Sequence, residues 1–181
     1  AVIHPRANHP EHHKGLHKSE VTFAELFKEA GYITGVVGKW HLGYAGENPE
    51  YHPQNHGFDY FKGYHSGNID YINHWGDHMK HDWWHGRKET KEKGYTTHLI
   101  NKYALEFIEQ NKDKPFFMYF ALNTPHYPYQ GYAKWLKHYK NLPYPRNLYA
   151  AFVSTYDETI GQLIATLDQH GLRKDTIIVF Q

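Results

Sequence analysis

Three residues of this sequence could do chemistry together: Lys39 and His41 in GYITGVVGKWHLG (31–43), and His126 in NTPHYP (123–128). An ammonium neutralises oxygens on which charge builds in a transition state. An imidazole gives a proton to a leaving oxygen, or takes one from a nucleophile, near neutral pH. One lysine and two histidines brought to one place therefore suit an anionic substrate. The competing reading is ordinary polar capping of strand ends, and spacing alone does not choose between the two.

The spacing in GKWH carries a geometric expectation. If the backbone stays extended past Val37, Lys39 and His41 point one way and Trp40 the other, so the indole can pack below. Gly38 and Gly43 allow a tight turn or a close approach to a ligand. In TPHYP, Pro125 and Pro128 fix their own φ and bias Thr124 and Tyr127, which predicts an extended, rigid chain around His126.

These side chains need elements to aim them. Thr22 and Glu25 fit a capping box, and Val21 and Leu26 fit the hydrophobic staple around it. They predict a helix through FAELFKEA that stops at Gly31. YITGVV then reads as a buried strand. Short strands are expected in FDYFKGY and NIDYINHW within the otherwise irregular stretch 44–95. Leu99, Tyr103, Phe107 and Ile108 predict a helix over 96–111. FFMYFAL reads as a strand covered on both faces. A short helix over 131–140 and a long one over 147–170, closed by Gly171, lead to TIIVF, a further buried strand. Helix–strand alternation of this kind predicts an α/β fold with a mostly parallel sheet flanked by helices. In such sheets ligands bind beyond the carboxyl ends of strands, where Lys39, His41 and His126 fall.

Composition narrows the function classes. The chain has 181 residues, enough for one domain with a real core, and a formal net charge of +1. No basic excess argues for nucleic acid, and no apolar run is long enough to span a bilayer. There are no cysteines, which removes disulfides, thiolate metal sites and a cysteine nucleophile from these residues. Histidine occurs 17 times and aromatic residues make up 17%.

GYITGVVGKWHLG resembles the second sequence motif of the sulfatase family, the formylglycine-dependent sulfate ester hydrolases of the alkaline-phosphatase superfamily. The resemblance continues, in family order, through VTFAELFKEAGY, HPQNHGFDYFKGY, DKPFFMYFALNTPHYP and YAAFVSTYDETIGQLIATLDQHGLRKDTIIVF. It implies a partial alkaline-phosphatase-like fold. It also implies that Lys39 contacts the sulfate and the formylglycine, that His41 hydrogen-bonds the formylglycine hydroxyls, and that His126 contacts the sulfate near the leaving oxygen as a general acid. In such enzymes a hydrated aldehyde attacks sulfur, the alcohol leaves, and the hemiacetal then expels sulfate. A divalent cation, usually calcium, orients the reactants.

Two family features are missing from this sequence. The Cys- or Ser-x-Pro-x-Arg nucleophile motif is absent, since Ser19, Ser66 and Ser154 lack that context. The paired aspartates and the Asp-Asn-Gly stretch that bind the cation are absent as well, so no metal ligand is expected among these residues. The expectation is that residues 1–181 are the central portion of a sulfatase catalytic domain and inactive alone. The expected substrate of the full-length parent is a sulfated carbohydrate or an aryl sulfate. The expected location is periplasmic or secreted, or lysosomal in a eukaryote, with neither nucleic acid nor membrane as partner. The alternatives are a phosphate or phosphonate ester hydrolase of the same superfamily, or a non-catalytic anion- or glycan-binding module.

Three other groups stand out. In HWGDHMKHDWWHG (74–86), His74, His78, Asp82 and His85 are spaced to line one face of a helix and bind zinc. The same stretch also reads as an aromatic loop that stacks on sugar, with Trp84 as the candidate substrate contact, or as plain packing. Tyr127, Tyr129 and Tyr132 follow His126 and are candidates to border a substrate channel, Tyr127 first. His4, His9, His12, His13 and His17 lie in an aperiodic stretch and read as surface.

Overall fold

The computed structural model describes residues 15–77 and 79–181. His4, His9, His12, His13 and His78 therefore lie outside the described residues.

The capping box forms as the sequence predicts. Thr22 Oγ1 accepts from Glu25 N at 3.1 Å, and Thr22 N donates to Glu25 Oε2 at 2.7 Å. Such a cap contributes about 1 kcal/mol, and it starts helix α1 (Phe23–Glu29). Val21 and Leu26 are both largely exposed, so the expected staple buries little. The chain then enters strand β1 (Ile33–Lys39), followed by β2 (Tyr60–Tyr64), the two-residue strands β3 (Trp84–His85) and β4 (Lys88–Glu89), helix α2 (Thr96–Asn111), strand β5 (Phe116–Ala121), and helices α3 (Ala133–His138) and α4 (Arg146–Gln169).

The sheet has the order β4-β3-β2-β1-β5. β1 pairs in parallel with both β2 and β5, with Gly38 opposite Gly63 on one side and Ala121 on the other. β3 and β4 add an antiparallel ribbon to β2. The fold is thus α/β with a parallel centre. Alternation along β1 divides its side chains between two cores. Val37 packs with Ile100, Tyr103 and Ala104 of α2, whereas Val36 packs with Ala24 of α1, Phe58, Phe61 and Trp40. α4 lies against α2 and α3.

Three expectations are corrected. NIDYINHW forms turns with isolated bridges instead of a strand, because Asp70 folds the chain back by accepting from Ile72 N, Asn73 N and Trp75 N. FFMYFAL does form β5, but at the sheet edge, with Tyr119 about half exposed (49%). TIIVF forms no strand: Ile177, Val179 and Phe180 are exposed, and among the described residues no strand edge pairs with it. A strand depends on a partner for its ladder hydrogen bonds, and apolar composition does not supply one.

Candidate functional site

The parallel pairing of β1 with β5 delivers GKWH and NTPHYP to the same end of the sheet. Trp40 packs below as expected. It is 4% exposed, joins the α1-side core and donates from Nε1 to Tyr51 O at 2.8 Å. Lys39 has the opposite parity and emerges on the α2 side. His41 does not continue the strand: its φ is 58°, the left-handed region that non-glycine residues seldom occupy. The turn is held by neighbours, because Trp40 N donates to Tyr64 O at 2.9 Å and His41 N to His65 O at 3.1 Å.

The segment around His126 also turns, contrary to the expected extended chain. The Thr124–Pro125 and Tyr127–Pro128 bonds are cis, and His126 N donates to Asn123 O at 2.8 Å. Tyr71, missed in the sequence, is fully buried and donates from its hydroxyl to His126 O at 2.9 Å. His126 Nδ1 lies 2.9 Å from Tyr127 O. A carbonyl only accepts, so Nδ1 carries the proton, and Nε2 is left as the ring position that gives or takes one.

The electrostatics tie the three residues together. Burial draws His41 down to about 4, and the charges of Lys39 and His126 push in the same direction. His41 is therefore neutral near pH 7 and able to accept a proton. Burial also lowers Lys39, opposed by the carboxylate of Asp77. Surroundings that disfavour positive charge on Lys39 and His41 would be relieved by an anion beside them.

The low His41 value predicts acid sensitivity. Burial also draws His52 down to about 4. An unfolded imidazole titrates near 6.5, so between 6.5 and 4 the unfolded chain binds more protons. Stability should be intact above about pH 6.5 and decline as the pH falls towards 4. Urea midpoints measured across that window should drop. An unchanged midpoint would show that these rings titrate normally in the fold.

The other candidates separate. Tyr127 is exposed beside His126, with ring centroids 4.3 Å apart. Tyr129 is also exposed, and its ring meets Phe152 edge-on. Tyr132 packs against Tyr95 and His98. Trp84 is half-buried: it lies against the Trp40 core, and its Nε1 donates to Asp82 at 2.7 Å. The described residues of segment 74–86 form no helix, and His74, Asp82 and His85 have separate partners. His74 stacks on Trp83 and reaches Gly94 O, Asp82 pairs with His65, and His85 lies 3.4 Å from Glu92. Among the described residues no three histidines or carboxylates gather to hold a metal. A hard divalent cation needs several oxygen ligands, and the group here is two imidazoles and an ammonium. These residues do not fit a calcium site.

Comparisons with known proteins bear on this end of the sheet. A family profile described as Sulfatase matches residues 3–181. N-acetylgalactosamine-6-sulfatase of Mus musculus is 32% identical over 180 residues, covering 92% of this chain and 33% of the relative. An arylsulfatase of Hemicentrotus pulcherrimus is 32% identical over 188 residues, covering 92% of this chain and 32% of the relative. The chain thus spans about a third of the length of these curated relatives. The crystal structure of Ps i-CgsB in complex with k-i-k-neocarrahexaose superposes with a TM-score of 0.80 at 28% identity, covering 88% of this chain and 39% of that one. With the profile running over nearly all its residues and the fold shared, the chain belongs to the sulfatase family.

Proposed function

We propose that residues 1–181 are the central portion of a sulfatase catalytic domain and supply the sulfate-gripping side of its active site. This reading is supported above all by the parallel pairing of β1 with β5, which carries Lys39, His41 and His126 to one end of the sheet, with the charges of Lys39 and His126 both bearing on His41. The Lys39 ammonium holds sulfate oxygens as their charge grows. His126, protonated on Nε2, gives a proton to the departing alcohol oxygen. His41, neutral, takes the proton released on the opposite side of the reaction. The family's formylglycine would supply the nucleophile, and with it the proton that His41 takes, and its divalent cation would supply Lewis acidity; neither group is held by these residues. The substrate is a sulfated carbohydrate. The N-acetylgalactosamine-6-sulfatase relative, the oligosaccharide complex of Ps i-CgsB and the exposed ring of Tyr127 beside His126 support that choice over an aryl sulfate. The enzyme works in the periplasm or outside the cell, or in the lysosome if its source is eukaryotic.

The test compares the full-length protein on matched esters. It should hydrolyse 4-nitrophenyl sulfate and a sulfated galactose oligosaccharide far faster than 4-nitrophenyl phosphate. Purified residues 1–181 should turn over none of them, with or without calcium. Preference for the phosphate ester, or cation-dependent turnover by the isolated chain, would overturn the reading.

A further inference from the structure

One carboxylate outside the Lys39–His41–His126 group is completely buried. Asp82 is 1% exposed, and it accepts from His65 N at 3.2 Å, Ser66 N at 2.7 Å and Trp84 Nε1 at 2.7 Å. Its Oδ1 lies 3.6 Å from His65 Nδ1, too long for a hydrogen bond but within ion-pair reach. Burial pushes its carboxyl upward. The His65 imidazole and the bonds from Ser66 outweigh that and hold it below the ordinary carboxylate value. Asp82 is therefore ionised at neutral pH.

The segment it fastens is the one against which His41 rests. His65 O accepts from His41 N at 3.1 Å. Gly67 lies so close to the ring that a Cβ there would stand 2.4 Å from His41 Nε2. The left-handed backbone of His41, φ 58°, is unfavourable for a residue with a side chain and persists only where the surroundings determine it. Residues 65–67 provide those surroundings, and Asp82 binds the first two of them by their backbone N–H groups. A purely structural Asp82 would close the 70–82 turn and leave His41 indifferent to its loss.

We infer that Asp82 is a positioning residue for His41, fixing the His65–Ser66–Gly67 segment on which the His41 backbone and ring are seated. Its consequence for turnover rests on the role proposed above for His41, whereas the seating itself does not.

Asp82→Asn in the full-length enzyme tests this. Asparagine offers one acceptor oxygen to donors that approach from both sides, so its NH2 must face an N–H. Two readouts are taken: the His41 imidazole by NMR of histidine-labelled protein across pH, and kcat and KM on a sulfate ester. The folded variant should show displaced His41 signals and a titration midpoint moved from about 4 towards 6.5. Its kcat should fall about tenfold or more, equivalent to about 1.4 kcal/mol, with KM little changed. Thr159→Val, which removes a buried hydroxyl in α4, should lower stability and leave the His41 signals in place. If Asp82→Asn does not fold, Asp82→Glu serves instead. Its extra methylene meets a closed wall at Gly76 and Ser66 and should displace His41 by a smaller amount. His41 signals unmoved in the folded variant overturn the inference. Signals that move while kcat does not would uphold the seat and remove His41 from the catalytic machinery.

Discussion

Alanine at His41 or at His126 should lower kcat of the full-length enzyme by about 10²–10⁴-fold, the usual contribution of a positioned acid or base. The two losses should differ in character. His126 is fixed through its backbone, by Tyr71 and by the turn to Asn123, and its ring is only partly buried, so His126→Ala should leave the urea midpoint near wild type. Its loss should be smaller on esters whose alcohol departs without protonation, such as 4-nitrophenyl sulfate, than on a sugar sulfate. His41 is the more buried ring and neutral, so His41→Ala should lower turnover alike for both leaving groups. It should also reduce the acid sensitivity of folding, because a ring held near 4 no longer has to be kept unprotonated. A double variant no worse than the worse single would fit residues acting as one unit. Turnover within about threefold of wild type for either single variant would remove that residue from the proposed mechanism.

The second large effect is on stability. Gly38→Ala should destabilise the fold by about 3–5 kcal/mol, in the range reserved for strain and overpacking at a special backbone position. Gly38 has φ 108°, and a Cβ there would lie 2.0 Å from Ala121 O. That carbonyl belongs to the backbone of the neighbouring strand, so no side-chain rotation relieves the overlap. The strand pair that brings Lys39 towards His126 would have to separate. Whole domains are stable by only about 5–15 kcal/mol, so loss of cooperative unfolding is an acceptable outcome. A urea midpoint equal to wild type would mean that β1 and β5 are not in the register described.

Local chemistry made part of this molecule readable from the sequence alone. Thr22 and Glu25 are three positions apart and cap their own helix, so no distant residue is needed to see it. Leu99, Tyr103 and Phe107 mark α2 by their own periodicity, and the helix occupies 96–111 as that pattern predicts. The opposed directions of Lys39 and Trp40 follow from strand alternation. The family motifs added the identity of the candidate acid, base and sulfate ligand.

Contacts across the chain decided the rest. The apolar runs FFMYFAL and TIIVF look alike as composition, yet the first became an edge strand and the second no strand, because only the first has β1 beside it. The tryptophans of segment 74–86 look equivalent in sequence. Trp83, just before β3, joined the α2-side core and Trp84, the first residue of β3, the α1-side core, while Trp75 was left about half exposed (47%) by the Asp70 turn. The backbone partners of Asp82 carry no local signal, since Ser66 and His65 lie 16 and 17 residues away. Periodicity records what a residue's near neighbours impose. Which strand edge is paired, and which carboxylate is buried against which N–H, depends on segments that meet only after the sheet has assembled.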